Sequence, residues 1–245
     1  MTLKVRLAVW MLSLAMVALP ASATSIIGNW SGSVRSWNFG DMSVLKGTMI
    51  GAGHTVEADE SMTAANLSNN NLFVVGEAVG APTAGEIADL ASWVGGGGIL
   101  LVLADSGGSG AAGGNAILSG LGTGMAFGGD PVNSALAGGN FASEGPPYNI
   151  AGFSISVTPG TAVTGGTALA GTYIQYTPVG SGWVYAFADR SDHDFFGPTS
   201  GNVQGQLFLN LAGGGGATNP VPEPATMMLL GSGLAGLLLR RKRAA

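Results

Sequence analysis

The densest cluster of polar side chains in the sequence is Asp189-Arg190-Ser191-Asp192-His193-Asp194. It follows an apolar segment typical of a buried strand, and open α/β sheets place ligand sites at such strand ends. The carboxylates of Asp189, Asp192 and Asp194, with His193 among them, could hold Ca²⁺, which prefers hard oxygen ligands. The spacing lacks the Gly and the distal Glu of an EF-hand loop. A solvated loop with a local Asp–Arg pair is the other interpretation, and the sequence leaves both open.

A second set of residues could form a hydrolase triad if the strand ends converge. Ser106 would be the nucleophile, His193 the base, and Asp189 or Asp192 the group that orients the base. No G-x-S-x-G turn is present to hold Ser106 in place. The chain has no Cys, which excludes thiolate nucleophiles, Cys-ligated metals and disulfides. We therefore expect no catalytic residues and, apart from Ca²⁺, no cofactor. The alternative is a secreted hydrolase that acts on surface polysaccharide or peptide through the loops after the strands that end near Asp105 and Asp189.

Composition limits what the central part of the chain can bind. Of the 245 residues, 46% are hydrophobic, only 9% are charged and 43 are Gly, so we expect a packed core with long loops. Between residues 7 and 218, three Lys or Arg stand against thirteen Asp or Glu, a formal net charge of −10. Because the phosphates of nucleic acids need Lys and Arg for affinity, this balance excludes nucleic acid as a partner.

A strand, a helix and a second strand follow one another in the middle of the chain. Residues 72–76 form a short apolar run typical of a buried strand. Thr83 and Glu86 have the spacing of a capping box, and apolar residues recur at helical spacing after them. Residues 95–98 are all Gly and end the helix, and residues 99–103 form the next apolar strand. Continuous apolar strands around a helix predict a parallel sheet that is covered on both faces.

The remaining elements follow weaker patterns. Strands are predicted at residues 26–28, 55–58, 153–157, 173–176 and 182–189, and helices at 43–52, 115–121 and 203–212. Asp59 and Glu60 are predicted to lie in a turn, and His54 in a loop or at a helix end. Trp30, Trp37 and Phe39 could stack on sugars, although such residues are more often part of a core.

This order of elements resembles the class I glutamine amidotransferase-like fold, in its branch without amidotransferase activity. The residues that carry the resemblance are Ala91-Ser92-Trp93-Val94 before four Gly, the strand 99–103 with Asp105 after it, and the segments 180–189 and 207–211. The resemblance covers most of residues 26–212. It implies an α/β domain with a mostly parallel, flavodoxin-like sheet flanked by helices. The amidotransferases use a Cys nucleophile, which this chain lacks, so their activity does not carry over.

Residues 1–23 have the three parts of a secretory signal peptide. Lys4 and Arg6 form a basic start, an apolar run follows at 7–19, and residues 20–23 supply a helix breaker and small residues at A-x-A spacing. Cleavage is predicted between Ala23 and Thr24. The sequence therefore predicts a signal helix and export by Sec-type machinery; an uncleaved membrane anchor is the alternative.

The other end of the chain combines a rigid motif, an apolar helix and a basic cluster. These are Val221, Pro222, Glu223 and Pro224, then residues 226–239, then Arg240, Arg241, Lys242 and Arg243. As a transmembrane helix the apolar residues span roughly 20 Å at ~1.5 Å per residue, and snorkelling basic side chains extend this toward the ~30 Å of a bilayer core. The basic cluster is predicted to stay in the cytoplasm, with the rest of the chain outside.

This tail resembles the PEP-CTERM sorting signal of Gram-negative bacteria. The resemblance implies that an exosortase recognises the tail while it is held transiently in the inner membrane, and cuts near Pro-Glu-Pro. It also implies a final place at the cell surface or outside the cell, often among the extracellular polysaccharide of a biofilm. A plain C-terminal membrane anchor is the alternative interpretation.

Four parts are therefore predicted along the chain. They are a signal peptide at 1–23, an α/β domain at 24–212, a Gly-rich linker at 213–220 and the sorting signal at 221–245. The expected function is that of a non-catalytic surface or matrix protein that is structural, adhesive or ligand-binding. Calcium-dependent adhesion through residues 189–194 is a narrower form of this hypothesis.

Overall fold

A seven-stranded sheet forms the centre of the computed structural model, which describes residues 25–38, 40–105, 110–130, 132, 134–145, 148–155, 161–188 and 203–214. The strands, in chain order, are β1 (Ile26–Trp30), β2 (Thr55–Glu60), β3 (Leu72–Gly76), β4 (Ile99–Leu103), β5 (Ala126–Phe127), β6 (Val163–Thr164), β7 (Thr167–Ala170), β8 (Ile174–Val179) and β9 (Gly182–Phe187). The helices are α1 (Gly40–Gly51), α2 (Ala64–Leu67), α3 (Ala84–Gly95), α4 (Ala111–Gly120), α5 (Phe141–Glu144) and α6 (Val203–Gly214). All of these elements belong to one compact unit.

The main sheet has the order β2-β1-β3-β4-β9-β8-β7, and β5 pairs with β6 in a separate small sheet. The first five strands of that order are parallel, whereas β8 runs antiparallel to both of its neighbours. Helices flank the sheet because each parallel connection must cross over it. The prediction of a mostly parallel α/β sheet is confirmed.

Strands β3 and β4 form the middle of the core. Every residue of both strands is buried, and they pair in register from Leu72 with Ile99 to Gly76 with Leu103. Their bounds are those predicted from the continuous apolar runs. Burying each large aliphatic or aromatic side chain contributes roughly 1.5–3 kcal/mol, so these strands supply much of the stability.

Helix α3 follows the predicted capping pattern. Glu86 N donates to Thr83 Oγ1 at 3.2 Å, and Thr83 N donates to Glu86 Oε2 at 2.9 Å, so the capping box is complete. Leu90 and Val94 turn into the core, and the Trp93 ring meets Phe73 edge-on with ring centres 6.2 Å apart. The glycines after α3 end it before β4 begins.

Because the central strands are parallel, the sheet has two distinct edges, which are named here by their residues. The carboxyl edge consists of residues 31–37, 77–81, 104–105 and Gly110, which follow β1, β3 and β4 or begin α4. The amino edge consists of the turns 52–54, 68–71, 95–98 and 180–181, with Ser25 and the end of α6.

Several local predictions were wrong. Asp59 and Glu60 lie in β2 and not in a turn, because pairing with β1 continues to their positions. The strand predicted at 153–157 is absent from 153–155, where Ser154 makes only an isolated bridge with Ala135, and 156–157 lie outside the described residues. Helix α4 begins at Ala111 and not at 115, because Gly113 and Gly114 pack inside it.

Within the described part of the chain, no helix is both long and apolar enough to cross a membrane. The predicted signal helix, its cleavage site at Ala23 and Thr24, and the predicted apolar helix at 226–239 lie outside the described residues. The domain boundaries stay predictions.

Candidate functional site

Two loops at the carboxyl edge hold each other by hydrogen bonds. The loop after β1 lies beside the end of β3, where Val34 N donates to Glu77 O at 2.9 Å and Arg35 N donates to Gly76 O at 3.0 Å. Ser33 Oγ accepts from Gly76 N at 2.9 Å. The first loop therefore continues the backbone pairing beyond the end of β3.

A buried ion pair joins the same two loops. Arg35 Nε lies 3.0 Å from Glu77 Oε2, and the two side chains are only 8% and 3% exposed. Removing two charges from water costs several kcal/mol for each ion, so the pair depends on close geometry and on additional hydrogen bonds. Each side chain would be left as an uncompensated buried charge without the other.

The backbone of Glu77 is unusual as well. Its φ is +64°, and among the described residues no other non-glycine residue has a positive φ. In this conformation Glu77 N donates to Leu103 O, 3.2 Å away at the end of β4. A Cβ on Gly76 would lie 2.7 Å from Arg35 O, and one on Gly110 would lie 2.9 Å from Glu77 Cα, so both positions need glycine. Strained backbone concentrates at functional sites, and here it points to the carboxyl edge.

A polar network supports the ion pair from the side of β1 and β2. Asn29 Nδ2 donates to Arg35 O at 2.9 Å and to Asp59 Oδ1 at 2.7 Å. Trp37 N donates to the same Asp59 oxygen at 3.0 Å. Asn29 Oδ1 and Trp37 Nε1 are buried and have no hydrogen-bond partner among the described residues. Because these hydrogen bonds involve the backbone atoms of Arg35 and Trp37, they fix the path of the loop after β1.

A cavity of about 390 Å³ opens between these loops and the start of α4. It is lined by Val34, Ala78, Val79, Gly80, Ala81, Gly110, Ala112 and Gly113. Val34 and Val79 are 43% and 72% exposed at its rim. A Cβ on Gly113 would lie 2.5 Å from Gly80 O, so the wall depends on a close approach of backbone. The volume lies in the range of small-molecule sites, and none of the described side chains that line it is charged.

Three acidic residues, Glu60, Glu86 and Asp105, lie at the end of β2, in the first turn of α3 and just after β4. Burial raises the pKa of Glu60 at the end of β2; the Asn70 hydrogen bond opposes that shift and the charge of Glu57 adds to it. The hydrogen bond from the Thr83 backbone lowers the pKa of Glu86 in the first turn of α3. Asp105 is buried just after β4. The surroundings of the cavity therefore favour a neutral or cationic ligand over an anion.

The sequence of the tail matches one family description, the PEP-CTERM protein-sorting motif, over residues 220–243. The chain carries a PEP-CTERM sorting signal. The motif implies export and processing by an exosortase, as the tail's three parts predict. Among curated proteins, no sequence is similar enough to this chain to count as a match.

Solved structures resemble the α/β domain of this chain in fold. The mmIFT52 N-terminal domain is 14% identical over 76% of this chain and 94% of that chain, with a TM-score of 0.53. A cytoplasmic protein from Salmonella typhimurium LT2 is 12% identical over 76% and 97%, with a TM-score of 0.51. A β-galactosidase from Rahnella sp. R3 is 14% identical over 84% of this chain and 33% of that chain, with a TM-score of 0.50. The similarity confirms a class I glutamine amidotransferase-like fold and shows the fold alone.

Most of the predicted site residues cannot be placed on this fold. Outside the described residues lie Ser106, Asp189, Asp192, His193, Asp194, Val221, Pro222, Glu223, Pro224, Arg240, Arg241, Lys242 and Arg243. Asp105 is the described member of the predicted triad region, and it is buried. The triad and the Ca²⁺ loop therefore stay predictions. In the described residues, no three His, Asp or Glu side chains come together in a way that could hold a metal ion.

The other predictions about single residues can be judged. Trp30 and Trp37 are buried in the core, which confirms the core interpretation, and Phe39 lies outside the described residues. His54 lies in the turn before β2, as predicted, and its Nδ1 accepts from Ser25 N at 3.3 Å.

Sequence reasoning missed the Arg35–Glu77 pair. Two signals were available: Arg35 is one of only three cations between residues 7 and 218, and Glu77 directly follows a buried strand of a parallel sheet. A basic residue that is rare in an acidic domain is a candidate for a specific ion pair.

Proposed function

We propose that this PEP-CTERM protein presents its α/β domain at the cell surface or in the extracellular matrix, where the cavity at the carboxyl edge binds an uncharged part of a polysaccharide. The domain acts there as a binding or adhesive module and catalyses no reaction. The sorting motif supports the location, since it implies export and exosortase processing. Such an adhesive module would bind polysaccharide in the matrix of a biofilm.

The observation that carries this proposal is the chemistry of the cavity. The eight described residues that line it are Val, Ala or Gly, so this part of the site offers apolar contact and backbone hydrogen bonds without fixed charge. The formal charge of −10 in the central part of the chain repels anionic polymers. A neutral glycan matches both features.

Glu77, the buried carboxylate next to the cavity, supports the absence of catalysis. General acid–base chemistry needs a group that can reach the substrate and exchange a proton with it. Glu77 is 3% exposed and bonded to Arg35, so its carboxylate is committed to the ion pair. The chain also has no Cys to act as a nucleophile.

The test compares two exposed aliphatic positions in the processed protein. Val79 at the cavity rim and Ile50 in α1 are 72% and 52% exposed, so Arg is tolerated at either position. Extracellular polysaccharide would be separated by ion exchange into neutral and anionic fractions, and binding measured by calorimetry. We expect binding to the neutral fraction, a loss of at least about tenfold in affinity with Val79→Arg, and no change with Ile50→Arg. Equal binding by both variants would reject the cavity as the site.

A hydrolase is the alternative, and Asp105 is the observation that favours it. Its carboxyl group is buried at the end of β4, one position before Ser106, at the edge where α/β sheets place their sites. The same polysaccharide fractions would be assayed for newly formed reducing ends. Release that stops with Ser106→Ala would replace the proposal of a binding module.

Calcium-dependent adhesion is tested separately through residues 189–194. A ligand that binds only the folded protein raises its melting temperature. If this loop holds Ca²⁺, saturating Ca²⁺ raises the melting temperature and Asp192→Asn abolishes the shift. An unchanged melting curve of the unmodified protein would exclude that role.

A further inference from the structure

Both ends of the described domain lie at the amino edge. Ser25, just before β1, donates through Oγ to Ala212 O near the end of α6, and its backbone N donates to His54 Nδ1 at 3.3 Å. The side chain of Asn210 anchors the same helix, donating to Ala142 O at 2.9 Å and to Tyr148 O at 2.7 Å. The chain therefore leaves the folded domain at the amino edge, and α6 is fixed up to that point.

The distance from this exit to the sorting motif is limited by the number of residues. Seven residues, 215–221, separate the end of α6 at Gly214 from Pro222. Fully extended they span at most about 25 Å, and a Gly-rich chain of that length averages roughly 15 Å. The six residues of β9 alone span about 20 Å from the amino edge to the carboxyl edge. On average the linker is therefore shorter than β9, so a protein that holds the motif is within reach of the amino edge.

The amino edge differs chemically from the rest of the domain. Its turns 52–54, 68–71, 95–98 and 180–181 contain Ala, Gly, Ser, Asn and one His, with no Asp, Glu, Lys or Arg. Burial lowers the pKa of His54, which favours the neutral form of this ring. Asn69 and Ser181 are exposed and would accept charged side chains without loss of packing. The lack of charge at these positions is not imposed by the fold.

We infer that the amino edge is the surface on which the exosortase docks while it holds the Pro-Glu-Pro motif. The inference rests on the exosortase processing that the sorting motif implies, and not on ligand binding at the carboxyl edge. Small uncharged residues let two proteins approach closely without the cost of desolvating buried charges. The same orientation keeps the acidic carboxyl edge away from the enzyme.

The test uses the full-length protein in cells that contain the exosortase. Two negative charges are added at the amino edge with Asn69→Asp/Ser181→Asp, and two are added elsewhere with Val132→Asp/Phe153→Asp, at positions that are 65% and 58% exposed. Conversion of the precursor to the processed form is followed by pulse–chase. We expect the amino-edge variant to be processed roughly tenfold more slowly, which corresponds to about 1.4 kcal/mol, and the control within twofold of the unmodified protein. Processing of the amino-edge variant at the unmodified rate would overturn the inference.

Two further variants distinguish docking of the enzyme from contact with the membrane. Asn69→Lys/Ser181→Lys also slows processing if an enzyme surface must desolvate the added charges. If the anionic membrane surface were the partner, Lys would leave processing unchanged or speed it, which overturns the inference. Inserting ten Gly or Ser residues after Gly214 should restore processing of the Asp variant, because the motif can then be held away from the domain. If the unmodified protein is never processed, the exosortase processing on which the inference rests is itself wrong. The melting temperatures of all variants are measured to show that each of them folds.

Discussion

The two edges of the same sheet are built on different principles. At the carboxyl edge, charged side chains and a strained backbone surround a cavity: Arg35 pairs with Glu77, whose φ is +64°. At the amino edge, uncharged turns pack backbone against backbone, and Ser181 N donates to Gly95 O at 2.9 Å. In this fold the candidate ligand site and the point where the chain leaves the domain lie at opposite ends of the strands. Residues at one edge can therefore change without altering the other edge.

The energetics of the edges should differ in the same way. Stability at the carboxyl edge depends on keeping buried charges paired, since an unpaired ion inside a protein is costly. Stability at the amino edge depends on the absence of side chains at close backbone contacts. A Cβ on Gly182 would collide with the carbonyl oxygens of Val94 and Gly98. Substitutions at each edge therefore test whether the two edges are stabilised in these different ways.

The largest expected effect is at the carboxyl edge. Glu77→Met or Arg35→Met leaves one buried charge without its partner, and each change should lower the free energy of unfolding by about 3–5 kcal/mol. The double variant removes both charges, so its loss should fall well short of the sum of the two single losses. Urea denaturation of the purified protein measures all three. Single-variant losses below about 1 kcal/mol would show that the pair contributes little, as exposed pairs do.

At the amino edge the expected effect comes from overpacking. Gly182→Ala places a Cβ against backbone carbonyls that cannot move aside, and should cost about 1–3 kcal/mol. Gly95→Ala is the matched control, because a Cβ there meets no atom within 4 Å and its φ is not positive. That change should stabilise the protein by about 0.4–1 kcal/mol. The melting temperatures of the two variants should move in opposite directions, and a shared direction would contradict the close contact.

A smaller effect is expected at the start of α3, on the carboxyl side of the sheet. Thr83→Ala removes half of a complete capping box and should cost about 1 kcal/mol. The control is Thr63→Ala, because Thr63 caps the four-residue helix α2 through a longer hydrogen bond of 3.5 Å from Asn66 N. Chemical denaturation should show the larger loss for Thr83→Ala. Equal losses would mean that the reciprocal bond of Glu86 adds nothing.

The sequence was enough to predict the centre of the fold. The bounds of β3 and β4, the capping box of α3 and the parallel sheet followed from apolar runs and from hydrogen-bonding residues a few positions apart. The elements missed were short: β5 and β6 have two residues each, and β7, α2 and α5 have four. Such elements carry only one or two periods of a hydrophobic pattern, which is too little to recognise, and tertiary contacts hold them in place.

The candidate site was harder to predict, for a reason that lies in its contacts. Arg35 and Glu77 are 42 residues apart, and the loop that carries Arg35 shows no periodicity. Its position depends on Asn29, Asp59 and the end of β3, which come together only when β1 lies between β2 and β3. Strand order is not encoded in local spacing, so a polar pair between loops cannot be recognised before the topology is known.

The smallest expected effect is a difference in how stability depends on pH. The contribution of His54 at the amino edge and that of Glu60 at the end of β2 should change in opposite directions. Burial holds the pKa of His54 at the amino edge below the ordinary value of 6.5, so the unfolded chain binds a proton more readily than the folded one. Stability contributed by neutral His54 is present above pH 6.5 and is lost as the pH falls through 6.5 toward the folded pKa. At the carboxyl end of β2 the sign is reversed: the raised pKa of Glu60 means that stability is lost as the pH rises above about 4.5.

Urea denaturation at several pH values between 5 and 8 measures this difference. His54→Gln keeps an acceptor for Ser25 N and should flatten the loss between pH 7 and pH 5, by a few tenths of a kcal/mol once solvent screening of this half-buried ring is allowed for. Glu60→Gln is the control: because the stability linked to Glu60 rises as the pH falls toward 4.5, this change should not flatten the loss between pH 7 and pH 5, and it should stabilise the protein at pH 7 by a similar amount. If His54→Gln keeps the full slope, the titrating group lies elsewhere, because the described turns of the amino edge contain no other group that titrates in that pH range.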